Sequence, residues 1–249
     1  MKAYLECAGV AKRFGGVTAL QRVDFSIQQR EIVGLIGPNG SGKTTLFNVI
    51  SGLIRPEAGR VVFKGRDITR LAPHAICRLG IARTYQIARP FRTLTVIENV
   101  IVGVTYGRRH ETRIDRARAE AEHWLEFTGL AARAEAQPGQ LPLAEQKRLE
   151  MTRALATQPE LLLLDEVMGG LNPTEVDACL RVIRRIRDEL GITIIIVEHV
   201  MRAVMGVSER VVVLSYGERI AEGTPAEVVS DSRVIEAYLG KEHAQALRR

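Results

Sequence analysis

Cysteine is scarce in this chain, and long apolar runs are missing. Cys7, Cys77 and Cys179 are scattered, odd in number and never spaced as CxxC. Neither a disulfide framework nor a zinc site is expected from them, and buried reduced thiols are the default. Apolar runs such as Leu161 to Leu164 and Ile192 to Val197 fall far short of the roughly 20 residues that a membrane helix needs. Met1 to Glu6 holds no apolar stretch followed by a small-residue cleavage site, so no secretory signal is visible and a cytosolic chain is expected. Internal repeats, low-complexity tracts and long linkers are also absent. What remains is ordinary: 249 residues, 46% hydrophobic and 26% charged, enough to bury one substantial core or one core with a smaller lobe. The net charge of +6 favours anions such as nucleotides, nucleic acid or anionic lipid head groups, although a modest excess of surface arginine has the same effect.

From Tyr4 to about Gly65 the chain reads as β-rich segments around one strand–loop–helix unit. Val23 to Ile27 alternates with period two, as a half-buried strand does. Ile32 to Ile36 is a continuous apolar run, as expected of a strand buried on both faces, and the helix after it stops near Gly52. The middle, from about Ala88 to Leu155, reads as helical. Thr95 to Glu98 fits a capping box, and Asp115 to Thr128 forms a surface helix halted by Gly129. After Pro159 the strands Leu161–Leu164, Ile192–Val197 and Arg210–Leu214 alternate with helices Pro173–Leu190 and His199–Val207. Asn172 then supplies an N-cap and Pro173 the first helical position. This alternation predicts a parallel α/β sheet, with the helical middle as an inserted lobe.

Gly37-Pro38-Asn39-Gly40-Ser41-Gly42-Lys43-Thr44 fits the phosphate-binding pattern G-x-x-x-x-G-K-[ST] between a strand and a helix. A loop without bulky side chains lets successive backbone N–H groups face a polyphosphate, and the helix adds its positive N-terminal dipole. Lys43 is expected to reach the β- and γ-phosphates and the Thr44 hydroxyl to ligate Mg²⁺; Thr45 follows in the same turn. Leu161 to Leu164 ends in Asp165 and Glu166. A strand in that position brings Asp165 to Mg²⁺, directly or through water, and leaves Glu166 to polarise the attacking water.

Three further stretches narrow this P-loop NTPase reading. Gln86 follows Arg83-Thr84-Tyr85, Gly170-Leu171-Asn172-Pro173 lies just beyond Glu166, and an apolar strand ends at Glu198-His199. In this order they resemble the Q-loop, D-loop and H-switch of ABC-transporter ATPases, and the resemblance covers essentially the whole chain. It implies a RecA-like P-loop core with an N-terminal antiparallel β subdomain and an inserted α-helical subdomain. The corresponding ranges are about 1–87 and 156–240 for the core with its β subdomain, 88–155 for the helical part, and 241–249 for a charged, unordered tail. It also implies that Phe14 stacks on adenine, that Gln86 links Mg²⁺ and water to movement, and that His199 contacts the γ-phosphate. Two such ATPases would sandwich two ATP molecules, each bound by the P-loop of one subunit and the signature motif of the other.

The stretch from Arg83 through Phe91-Arg92 to Val100 is similar to that in ATPases of branched-chain amino-acid importers. So are Gly170 to Glu175, Met201 with Val204 to Gly206, and the ending Gly223-Thr224-Pro225 with Val234 to Gly240. The partners this implies are a second ATPase subunit, identical or not, two membrane-spanning permease subunits and, indirectly, a periplasmic or extracellular solute-binding protein. The chain would then lie peripherally on the cytoplasmic face of the membrane, with no nucleic acid partner. The alternative function is that of a soluble ABC ATPase acting on nucleic acid or ribosomes. Such proteins resemble fused pairs of ATPase domains or carry coiled-coil or zinc insertions, which this chain lacks. A small-molecule kinase is disfavoured by Gln86, Asn172 and His199.

One motif departs from the family. Where Leu-Ser-Gly-Gly-Gln is usual, this chain has Leu141-Pro142-Leu143-Ala144-Glu145. The serine hydroxyl is gone, Pro142 lacks an N–H, two glycines are replaced, and Glu145 adds negative charge where an anion should sit. A helix N-terminus remains, with Pro142 placed to start it. Either that N-terminus still engages the partner's ATP, more weakly, or the motif is degenerate and one site of a heterodimer hydrolyses poorly. Arg108 to Arg118 reads as a solvated face and Trp124 as packing in the helical lobe.

Overall fold

The computed structural model describes residues 3–86 and 89–239. They form two compact units: residues 3–72 with 195–239, and residues 73–86 with 89–194. The charged tail after Gly240, expected to be unordered, lies outside the described residues.

The first unit opens with β1 (Leu5–Phe14), β2 (Val17–Ile27), β3 (Ile32–Ile36), α1 (Lys43–Ile50), β4 (Ala58–Phe63) and β5 (Arg66–Asp67). A four-stranded antiparallel sheet runs in the order β2-β1-β4-β5. The period-two pattern of β2 is visible in it, with Val23, Phe25 and Ile27 buried and the residues between them more exposed. All five residues of β3 are buried, as its unbroken apolar run requires. Helix α1 ends at Ser51, and Gly52 takes φ +74° as the left-handed stop.

The second unit contains α2 (Pro73–Arg78), β6 (Ile81–Arg83), α3 (Val96–Tyr106), α4 (Ile114–Thr128), α5 (Leu143–Ala156), β7 (Leu161–Asp165) and α6 (Pro173–Leu190). Strand β8 (Thr193–Val197) crosses from this unit back to the first. The expected capping box is present: Thr95 Oγ1 accepts from the Glu98 N–H, and the Glu98 carboxylate accepts from the Thr95 N–H. Asn172 and Glu175 repeat the device at α6, with Pro173 in its first turn. Gly129 ends α4 in the left-handed region. Pro142 stands one residue earlier than expected. It caps α5 with extended ψ rather than entering its first turn. Strand β8 begins at Thr193, because Ile192 still closes the end of α6 through its N–H to Ile186 O. Trp124 is buried edge-on to Phe127. β7 and β6 pair in parallel, in the order β8-β7-β6.

The chain completes the first unit with α7 (Met201–Val207), β9 (Arg210–Ser215), β10 (Glu218–Gly223), α8 (Pro225–Ser230) and α9 (Ser232–Leu239). α7 starts at Met201, two residues later than expected. Glu198 to Val200 make the turn out of β8, and Val200 offers no capping side chain. The strand order here is β10-β9-β3-β8, with β3 and β9 parallel and β10 antiparallel at the edge. α7, α8 and α9 pack on it through Val204, Val228 and Val234, which share a buried cluster with Ile36 and Val213. Among the described residues no helix is long and apolar enough to cross a membrane. Cys7 is buried and Cys77 and Cys179 are partly buried, none of the three in a disulfide.

Asn99 of α3, fully buried, ties down the segment before that helix. Its Oδ1 accepts from the Phe91 N–H at 2.8 Å, and its Nδ2 donates to Phe91 O, Leu94 O and Thr95 O at 3.0, 3.2 and 2.9 Å. Asn99→Leu keeps the branched side-chain skeleton but strands these groups and adds bulk. A loss of about 2–3 kcal/mol is expected, read as a lower urea midpoint with an unchanged slope; a loss below about 0.5 kcal/mol would contradict this account of the segment.

Candidate functional site

In the first unit, Gly37 to Thr45 form the turn from β3 into α1. Its shape follows from missing side chains. Gly37 has φ +150°, and a Cβ there would meet Leu214 O at 2.0 Å; Gly42 has φ +105° and would meet Ala19 O at 2.5 Å. Gly40, also at positive φ, faces open space. The first helical bond runs from the Leu46 N–H to Gly42 O, so the N–H groups of Lys43, Thr44 and Thr45 point out of the helix end. The Lys43 ammonium, on a side chain only 5% exposed, curls over the loop to Gly37 O at 2.7 Å, Pro38 O at 2.9 Å and Ser41 Oγ at 3.3 Å. Thr44, Asn39 and Gly40 are exposed.

Late parts of the chain brace this loop. The Gly217 N–H, in the turn between β9 and β10, donates to Ser41 O at 3.1 Å. Tyr238 of α9 lies beside Gly37; its partial burial pushes the phenol pKa up, and the Gly37 backbone opposes the shift. Phe14, at the end of β1, is 48% exposed, with the Lys12 ammonium 5.4 Å from its ring centre. His199 is exposed in the turn between β8 and α7.

In the second unit, strand register brings the other predicted residues together. Arg83 pairs with Leu163, so Thr84 to Gln86 run beside the end of β7. The Thr84 N–H donates to Leu163 O, and Thr84 Oγ1 accepts from the Asp165 N–H at 3.0 Å. Gln86 Nε2 thereby reaches Glu166 Oε2 at 2.7 Å. Asp165 is 2% exposed and forms an ion pair with Arg83 at 2.6 Å. Glu166 sits at φ +50°, a left-handed conformation that costs a non-glycine residue about 1–2 kcal/mol.

The atypical stretch lies in the same unit. With the first bond of α5 running from the Gln146 N–H to Pro142 O, the N–H groups of Leu143, Ala144 and Glu145 have no acceptor within the helix. Glu145 is bonded to Arg133 at 3.1 Å, so its charge is partly met. Leu143 is exposed. One turn on, Lys147 Nζ donates to Glu166 O at 2.6 Å.

Each set has its own chemistry. In the first unit the loop offers backbone N–H groups, open space at Gly40, the Thr44 hydroxyl and a nearly buried ammonium, which fit a polyphosphate. In the second unit Gln86 and Asp165 carry hard oxygen donors of the kind that suits a divalent cation; an ionised carboxylate has enough lone pairs to serve Arg83 and a further cation. Sequence reasoning quoted Arg83 and Thr84 without giving them a role, and it missed Lys147 and Gly217. Strand register could have found the first two, since residues just before Gln86 must flank the end of β7. Lys147 and Gly217 carry no signal in the sequence.

A family model described as ABC transporter matches residues 20–169, and one described as branched-chain amino acid ATP-binding cassette transporter matches residues 218–244. The chain is similar to the high-affinity branched-chain amino acid transport ATP-binding protein LivG of Salmonella typhimurium, with 41% identity covering 94% of this chain and 96% of that protein. BraF of Pseudomonas aeruginosa, described in the same words, is 37% identical, covering 95% of this chain and 98% of its own. The solved ADP conformation of an ATP-binding cassette of an ABC transporter aligns with TM-score 0.87 and 31% identity over 97% of this chain and 100% of that one. These matches span nearly the whole sequence, and the chain therefore belongs to the ABC transporter family as an ATP-hydrolysing cassette.

Proposed function

We propose that this cassette powers import of branched-chain or closely related amino acids through two membrane-spanning permease subunits, served by an external solute-binding protein. It would lie peripherally on the cytoplasmic face of the membrane. The observation that carries the ATPase part is the glycine-shaped loop with Lys43 held over it. Import of amino acids rests on the likeness to LivG and BraF and on the matched C-terminal segment 218–244.

In the proposed mechanism the N–H groups of the loop and the Lys43 ammonium hold the β- and γ-phosphates, and Phe14 stacks on adenine. Thr44, Gln86 and Asp165 would hold Mg²⁺, which supplies charge neutralisation on the phosphates when bound. Glu166 takes a proton from the attacking water as general base, with Gln86 orienting its carboxylate. His199 contacts the γ-phosphate. A second cassette, identical or not, completes each site with the N-terminus of its α5. ATP then stabilises the closed pair by differential binding, and hydrolysis removes that stabilisation.

Three outcomes are expected of the complex purified with its membrane and ATPase partners. In vesicles, leucine, isoleucine or valine with the binding protein stimulates ATP turnover; stimulation by an unrelated solute alone would overturn the assignment of cargo. Lys43→Ala lowers turnover about 100-fold or more, because a charge-stabilising donor is lost; normal turnover would sink the site assignment. Pro142→Ser restores both a capping side chain and a hydroxyl for the partner's γ-phosphate. A hydrogen bond to a charged group is worth about 1.5–3 kcal/mol, so turnover rises about 10-fold or more. No rise would mean that this helix end does not face ATP.

A further inference from the structure

The residues that α5 would offer to a partner lie one helical turn from a lysine that holds the backbone of Glu166. Leu143 and Ala144 begin α5. A Cβ on Gly170, the start of the stretch resembling the D-loop, would sit 3.1 Å from Leu143 Cδ2. Four residues after Leu143, on the same helix face, Lys147 donates to the carbonyl oxygen of Glu166 at 2.6 Å. The Gly169 N–H approaches that oxygen at 3.4 Å, and a Cβ on Gly169 would lie 3.8 Å from the ammonium. A small crevice between Lys147, Val167 and Leu171 separates α5 from α6.

Glu166 needs such a hold. It is in the left-handed region without being glycine, a conformation that persists only where neighbours over-determine it. Its carboxylate is oriented by Gln86 at one end. Its peptide plane is fixed by Lys147 at the other, and that plane sets the direction in which the side chain leaves the backbone. Two tethers from different elements thus define one carboxylate.

We infer that Lys147 is a positioning residue for Glu166, through which the seating of α5 on the partner's nucleotide is relayed to the carboxylate in its own subunit. The inference rests on the proposed role of Glu166 as general base. It gives the atypical helix a function that does not need the missing serine. A shift of α5 moves the ammonium, the ammonium moves the peptide plane, and a displacement of about 1 Å in a catalytic group can cost on the order of 100-fold in rate.

The test is kcat and KM for ATP in the assembled complex for Lys147→Met, Lys147→Arg, Glu166→Gln and the double variant Lys147→Met/Glu166→Gln. Lys147→Met is expected to lower kcat at least about 10-fold with KM for ATP within about twofold. Lys147→Arg, which keeps a charged donor, stays within about threefold of the parent. If Lys147 acts through Glu166, the double variant retains the residual rate of Glu166→Gln, because effects on one group are not additive. Should Lys147→Met fail to fold, Lys147→Gln, a shorter donor, replaces it with an intermediate loss of kcat expected. Normal kcat in Lys147→Met or its substitute Lys147→Gln, a loss confined to KM, or a double variant slower than Glu166→Gln would each overturn the inference while leaving the role of Glu166 intact. Full turnover by Glu166→Gln alone would remove the base on which it rests.

Discussion

Backbone N–H groups can hold a polyphosphate only where the chain comes within hydrogen-bond distance of it, and that closeness requires missing side chains. The loop from Gly37 to Thr44 meets this constraint, and much of the first unit follows from it. Gly37 is pressed so near Leu214 O, and Gly42 so near Ala19 O, that no other residue fits either place without moving backbone. The loop is braced by the turn at Gly217, and Tyr238 of α9 lies beside Gly37. α9 is seated in turn by Val234 on the cluster that contains Ile36 and Val204. The C-terminal helices therefore reach both the strand that feeds the loop and α7, the helix that follows His199.

The second unit meets a different constraint, the placement of two adjacent acids with different partners. Asp165 ends β7 buried and paired with Arg83, while Glu166 leaves the strand at positive φ with its carboxylate on Gln86. The parallel register of β6 and β7 does most of this. It puts Thr84 against the Asp165 N–H and brings Gln86 beside Glu166. A buried ion pair is weak evidence for stability, since breaking it is costly but forming it gains little. Its use here is to fix which way Asp165 points.

Elements set by local chemistry were legible in the sequence. Helix Pro173–Leu190 and strand Ile32–Ile36 have the bounds that their caps and apolar runs predict, and the capping box at Thr95 and the glycine stops at Gly52 and Gly129 are in place. The P-loop was legible because its chemistry needs residue types at fixed spacing. What escaped depends on contacts between distant segments. Arg133 meeting Glu145, Lys147 meeting Glu166 and Gly217 meeting Ser41 join positions with no shared pattern. The start of α7 was misplaced because Glu198 to Val200 carry no capping signal.

The central claim is that the half-site this chain uses on its own ATP is complete, while the half it offers to a partner keeps a helix N-terminus without the usual serine and glycines. Sedimentation velocity of Glu166→Gln, alone and with its partner ATPase, tests this most directly. With ATP and Mg²⁺ the account predicts a shift to a dimer that ADP does not produce. Identical sedimentation with ATP and ADP in both mixtures would contradict it.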